Sequence, residues 1–128
     1  MRREPLGRDD RCVRYLLVIN DPPYGTERAY NGFRLALSLA KRSEVELRVF
    51  LMGDAVGCAV AGQLTPDGYY NLERMIKGLA KKGVPVGCCG TCLKARGISD
   101  DRLVDGATHS SLEELTDWVL WAERTISF

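Results

Sequence analysis

Short apolar runs of strand length alternate with segments of helical period along nearly the whole chain, and this alternation narrows the possible folds more than any other feature. Residues 13–20 (Val-Arg-Tyr-Leu-Leu-Val-Ile-Asn) form a near-continuous apolar run, the pattern of a strand buried on both faces, as in a parallel sheet. From Thr26 to about Arg42, Ala29, Phe33, Ala36, Leu37 and Ala40 fall on one helical stripe, with Thr26 placed to cap it. Residues 45–52 are a second strand. Gly53-Asp54 ends it, and Asp54 is expected to cap a short helix over 55–62. Asn71 opens a helix to Lys82 that carries Leu72, Met75, Ile76 and Leu79. Gly83 is its C-cap, and residues 84–89 are a third strand. A fourth, short strand is expected near Leu103-Val104. Ser110 and Ser111 before Glu113 and Glu114 make a capping box for a last helix running through Ala122, and residues 125–128 complete the pattern as a final strand.

Strand and helix alternating in this way predict an α/β fold with a parallel sheet covered on both faces. In such sheets ligands and reactive groups gather at the carboxyl ends of the strands. Those ends are Asn20-Asp21, Gly53-Asp54 and Cys88-Cys89.

A length of 128 residues suits a single domain, expected over 13–128 after a charged leader over 1–12. The first eleven residues lack the apolar stretch of a secretory signal, and no apolar run reaches membrane-span length. The 18 basic and 17 acidic side chains nearly balance, so no global field favours nucleic acid or an anionic membrane. A cytoplasmic protein is expected. Its five cysteines are odd in number and three cluster at 88, 89 and 92, which points to metal, redox or thiol chemistry rather than a disulfide scaffold.

Cys89-Gly90-Thr91-Cys92 follows a strand and opens a helical turn toward Arg96-Gly97. A thiol at a helix start faces unpaired amides that favour its thiolate, and Lys94 and Arg96 add positive charge. Three other readings compete. Zinc needs about four ligands; a second Cys pair or a His pair is missing and the sole histidine, His109, falls in an expected loop, which weighs against a site within the chain, and a site shared between subunits stays open. A thioredoxin-type dithiol has the right spacing, but its motif follows the first strand of its fold. Inert core cysteines are the third reading, with Cys12 and Cys58 better suited to it than Cys89. Asp54 is either a helix cap or a group beside the thiol. Trp118 and Trp121 are expected to pack on the core or on a subunit contact. The loop 63–70, with Thr65-Pro66-Asp67-Gly68 and two tyrosines, is either a plain connector or a flap over the strand ends.

Asn20-Asp21-Pro22-Pro23-Tyr24-Gly25-Thr26-Glu27, then Phe50-Leu51-Met52-Gly53-Asp54-Ala55-Val56, resembles the DsrE/DsrF-like superfamily, in particular its YchN-like branch. Residues 84–92, Arg96-Gly97-Ile98 and the tail 112–128 continue the likeness. The resemblance implies a three-layer α/β/α sandwich around a mainly parallel five-stranded sheet, assembled as a homotrimer or homohexamer. Its sulfur-relay members carry a persulfide-accepting cysteine eight residues before the glycine of an Arg-Gly pair, which corresponds here to Cys89. Cys92 is similar to a second cysteine of the YchN-like branch, and Cys88 is an addition to the pattern.

The expected function is therefore a sulfur carrier or sulfurtransferase-like protein. Cys89 and Cys92 would be its reacting thiols, with Lys94, Arg96, Asp54, Asn20 and Tyr24 in support. Neither an organic cofactor nor a metal is called for, and sulfur-donor and acceptor proteins would be partners. The alternative is a non-catalytic oligomeric binding module for a small ligand or partner protein. Self-association is also expected from helix 26–42, where Leu35 and Leu39 face away from Phe33 and Ala40.

Overall fold

The computed structural model describes residues 12–128; the expected leader, apart from Cys12, lies outside them. Five strands, β1 (Val13–Ile19), β2 (Val45–Leu51), β3 (Val86–Cys89), β4 (Ala107–Ser110) and β5 (Arg124–Ser127), form one parallel sheet in the order β4-β3-β2-β1-β5. The helices are α1 (Arg28–Ala40), α2 (Leu72–Lys81), α3 (Gly90–Ala95) and α4 (Leu112–Trp121), with 3-10 turns at Gly53–Ala59 and Asp100–Arg102. The α/β fold expected from the alternation is the fold observed.

Helices α1 and α2 pack together on one face, over Leu17, Ile19, Val49 and Leu51. Helix α4 lies on the other, where Trp118 meets Phe50 edge-on with ring centroids 5.9 Å apart. On that face Arg48 stacks 3.9 Å from the centroid of the Trp121 ring, and Arg14 donates to the Trp121 carbonyl at 2.7 Å. The cationic side chains thereby bury their stems against indole.

Two caps act as their residue types require. The Asn71 side chain accepts from the Arg74 amide, and Ser111 from the Glu114 amide. The reciprocal arm of the second cap differs, because Ser110 donates its hydroxyl to the Glu114 carboxylate.

Several expectations are corrected. Helix α1 begins at Arg28 with Glu27, not Thr26, at the cap position and no cap bond from the Glu27 side chain; the Thr26 hydroxyl donates to Asp21 at 3.2 Å and accepts from the Arg28 amide at 3.4 Å, ahead of the first turn. Asp54 sits inside the 3-10 turn rather than before it. The fourth strand is Ala107–Ser110; Leu103 makes only an isolated antiparallel bridge with Val60, and the turn at Gly106 (φ +99°) separates them. An edge strand can be polar, so Ala-Thr-His-Ser carries no apolar signal. His109 is consequently a strand residue. Cys12 is exposed just ahead of β1, with its thiol 3.5 Å from the Ser43 carbonyl. Leu35 and Leu39 are half-buried against the core. The apolar surplus lies instead on α4, at Leu112, Val119 and Leu120.

Candidate active site

Successive residues of a strand point to opposite faces, and β3 places a cysteine on each. Cys88 is level with Leu51 and His109. It is fully buried on the α1/α2 face, and burial, with Cys89 adding to it, pushes its thiol from an ordinary 9.0 to about 12. Cys58 lies in the 3-10 turn above. Burial, then the proximity of Cys88, raises it likewise to about 12, and its sulfur is 3.9 Å from the Asp21 carbonyl. Both thiols stay protonated.

Cys89 ends the strand and is the residue preceding the first turn of α3. Burial raises its pKa. The Cys92 thiol, the Thr91 hydroxyl and the Cys92 and Thr91 amides favour the charged form by more, so the net shift is downward. The Thr91 hydroxyl is 3.4 Å from the sulfur. No full capping hydrogen bond forms there, so the amides act mainly through their dipoles. Cys92 shifts the opposite way. Burial and the hydrogen bond to Cys89 raise it, while the Gly53 amide, donating to its sulfur at 3.2 Å, and Arg96 pull back. The pair is thus polarised: Cys89 favours thiolate, and Cys92 keeps the proton that steadies it.

Asp54 and Arg96 frame this pair. One Asp54 carboxylate oxygen accepts from the Arg96 guanidinium at 2.8 and 3.2 Å, and the same guanidinium donates to the Cys92 carbonyl at 3.1 Å. Arg96 therefore acts on Cys92 and clamps α3 to the end of β2. The other supporting residues stand apart. The Asn20 side chain donates to the Phe128 carbonyl at 3.1 Å. The Tyr24 hydroxyl donates to Gln63 at 2.6 Å and accepts from the Leu72 amide at 3.2 Å. Lys94 lies on the flank of α3 that looks toward β4 and the start of α4.

Loop 63–70 is anchored rather than loose. Gln63 donates to the carbonyls of Cys58 and Val60, and Glu73 accepts from the Gly62 and Gln63 amides. Tyr70 stacks on Tyr30 at 4.0 Å and on Tyr69 at 4.5 Å. Among the described residues none of its hydrogen bonds or ring contacts reaches Cys89 or Cys92.

Two contributors escaped the sequence reading: the Thr91 hydroxyl and the Gly53 amide. The first was legible in principle as a donor two residues past a helix-start cysteine; the second depends on β2 and β3 being neighbours. His109 also comes close. Its Nδ1 is 2.8 Å from an Asp100 carboxylate oxygen, and a Cβ on Gly90 would lie 2.3 Å from Nε2, so only glycine admits the ring there. Among the described residues no group of three His, Cys, Asp or Glu side chains is placed to hold a metal, and no helix is long and apolar enough to cross a membrane.

A parallel five-stranded sheet with helices on both faces, and with two cysteines at a strand end and the helix start that follows it, places this chain in the α/β class. The chain belongs to the DsrE/DsrF-like family, which matches residues 13–128. It is 41% identical over 114 residues to Protein YchN of Escherichia coli (strain K12), spanning 88% of this chain and 97% of that one. The crystal structure of the E. coli YchN protein superposes with a TM-score of 0.85 at 40% identity, covering 91% of this chain and 99% of the other. A more distant relative, the sulfurtransferase TusD homolog of Vibrio parahaemolyticus, is 24% identical over 126 residues, 89% of this chain and 96% of its own.

Proposed function

We propose that this protein is a cytoplasmic sulfur carrier in which Cys89 accepts and hands on a sulfane sulfur. The observation that carries this reading is the placement of Cys89 at the end of β3 just ahead of α3, with the Thr91 hydroxyl 3.4 Å from its sulfur and Cys92 one turn on, held by the Gly53 amide at 3.2 Å. These surroundings draw the Cys89 pKa down and leave that of Cys92 raised. A nucleophile for a persulfide must be a thiolate. The Cys89 thiolate attacks the terminal sulfur of a donor R–S–SH, the S–S bond breaks, and R–S⁻ leaves, giving Cys89–S–SH. An acceptor thiolate then attacks that outer sulfur and releases Cys89 as thiolate. The sulfur changes hands with no net oxidation, so no organic cofactor is required. When no acceptor arrives, the Cys92 thiolate attacks the inner sulfur of Cys89–S–SH. Hydrogen sulfide is released and a Cys89–Cys92 disulfide remains, which a reducing dithiol reopens. Family membership and the name of the TusD homolog support the sulfur assignment.

The same reading includes self-association as a trimer or hexamer, supported by Leu112, Val119 and Leu120 exposed together on α4. Light scattering that gives a monomer at micromolar concentration refutes this part. For the chemistry, the protein is incubated with a persulfide donor and analysed by intact and peptide mass spectrometry. A gain of one sulfur atom on Cys89, passed on to an added thiol, is the expected result. No gain at Cys89, with ligand binding retained, leaves a binding module without turnover and overturns the proposal.

A further inference from the structure

An open pocket of about 400 Å³ lies between α3, β4 and the start of α4, with Gly90, Thr91, Lys94, His109, Ser111 and Glu113 among its walls. Thr91 belongs to both this pocket and the thiol site, since its hydroxyl is 3.4 Å from the Cys89 sulfur. A molecule seated here is one side chain away from the nucleophile.

The walls carry groups of both signs. Neither Lys94 nor Glu113 has an ion-pair partner among the described residues, whereas the neighbouring Glu114 is engaged by Ser110. The Asp100 carboxylate can only accept from His109 Nδ1, so in the neutral ring Nδ1 carries the hydrogen and Nε2 presents a lone pair. Nε2 has no hydrogen-bond partner among the described residues and lies over Gly90, where any Cβ would displace it. One side of the pocket thus offers donors, the Lys94 ammonium and the Thr91 hydroxyl. The other offers the Glu113 carboxylate as acceptor and, in the neutral imidazole, His109 Nε2. A carboxylate and an ammonium on one small molecule answer that arrangement, and the volume takes an amino acid or a short peptide.

We infer that this pocket holds the zwitterionic head of a small amino-acid persulfide, free or at the end of a short peptide, and presents its terminal sulfur to Cys89. The inference rests on the sulfur-carrier reading and names the donor for it. The Cys89 thiolate takes the outer sulfur with its proton, and the amino-acid thiolate leaves.

The test compares sulfur uptake at Cys89 from the persulfides of cysteine, cysteamine (no carboxylate) and 3-mercaptopropionate (no ammonium), with inorganic polysulfide as a headless donor. Cysteine persulfide is expected to react about threefold faster than either trimmed donor, the scale of one solvent-exposed charge contact. With each rate taken relative to uptake from polysulfide by the same variant, Lys94→Gln should erase its advantage over cysteamine persulfide, and Glu113→Gln its advantage over 3-mercaptopropionate persulfide. Equal rates for all three donors in the wild type, or an advantage that survives both substitutions, overturn the pocket assignment and leave the carrier reading standing. No uptake at Cys89 from any donor, polysulfide included, overturns both.

Discussion

Two sulfur pairs stand on either side of one peptide bond in β3, and they could hardly differ more. Cys88 and Cys58 meet beneath α1 and α2, where burial holds both thiols near 12. Cys89 and Cys92 meet at the strand's end, where a hydroxyl, amides and a partner thiol draw Cys89 below its ordinary value. The chain supplies the same atom in all four positions. A step of one residue along a strand reverses the face, and the second face here ends at the opening of a helix. Reactivity in this protein is therefore a property of position: alternation removes Cys88 from water, and the amides past Cys89 substitute for water around an anion.

The largest effect expected from breaking this contrast is at the nucleophile itself. Cys89→Ser should abolish sulfur uptake and the fast component of iodoacetamide labelling at pH 7. Cys88→Ser should leave both intact but destabilise the fold by about 1–3 kcal/mol, because a hydroxyl enters a dry site. Peptide mapping and denaturant melts read the two; labelling of Cys58 or Cys88 ahead of Cys89 would reverse the assignment.

Cys92→Ala, which deletes the thiol that steadies the Cys89 anion, should move the pH midpoint of Cys89 alkylation upward and slow labelling at pH 7. An unmoved midpoint would mean that the amides and Thr91 suffice. Cys58 and Cys88 should also pull stability with pH in the direction opposite to Cys89. Cys58 and Cys88 have folded values raised from 9.0 to about 12, so their contribution is complete below pH 9 and is lost as pH rises toward 12. Cys89, with a lowered folded value, contributes above its unfolded value and loses that contribution as pH falls through its folded one. Replacing Cys58 and Cys88 together with alanine should flatten the alkaline loss in melts taken between pH 8 and 11; an unchanged slope would show that other groups cause it.

Arg96→Gln should have the smallest effect. Its partner Asp54 is 64% exposed, so the lost ion pair costs under about 1 kcal/mol, and the Cys92 pKa rises slightly further once the cation is gone. A large loss of stability would show that the clamp between β2 and α3 does more than orient Cys92.

Much of this molecule was legible in the one-dimensional pattern. Strand and helix periods, the caps at Asn71 and Ser111, and a cysteine just ahead of a helical turn depend on residues within about four positions of each other, where backbone geometry leaves few alternatives. Tertiary structure decided what depends on distant neighbours. The polar edge strand β4 exists because β3 offers it hydrogen-bonding partners, and His109 comes with it to the back of Gly90. The Gly53 amide reaches Cys92, and Arg96 is claimed by Asp54 rather than by a sulfur, because β2 and β3 are adjacent in the sheet. Tyr24, five residues past the end of β1, is drawn into the stack of Tyr69 and Tyr70, 45 and 46 positions away in sequence. Local order along the chain thus determined where a thiolate could form. The packing of separated segments determined which charges, hydroxyls and rings surround it, because Coulomb and hydrogen-bond energies depend on distance in space and not on separation in sequence.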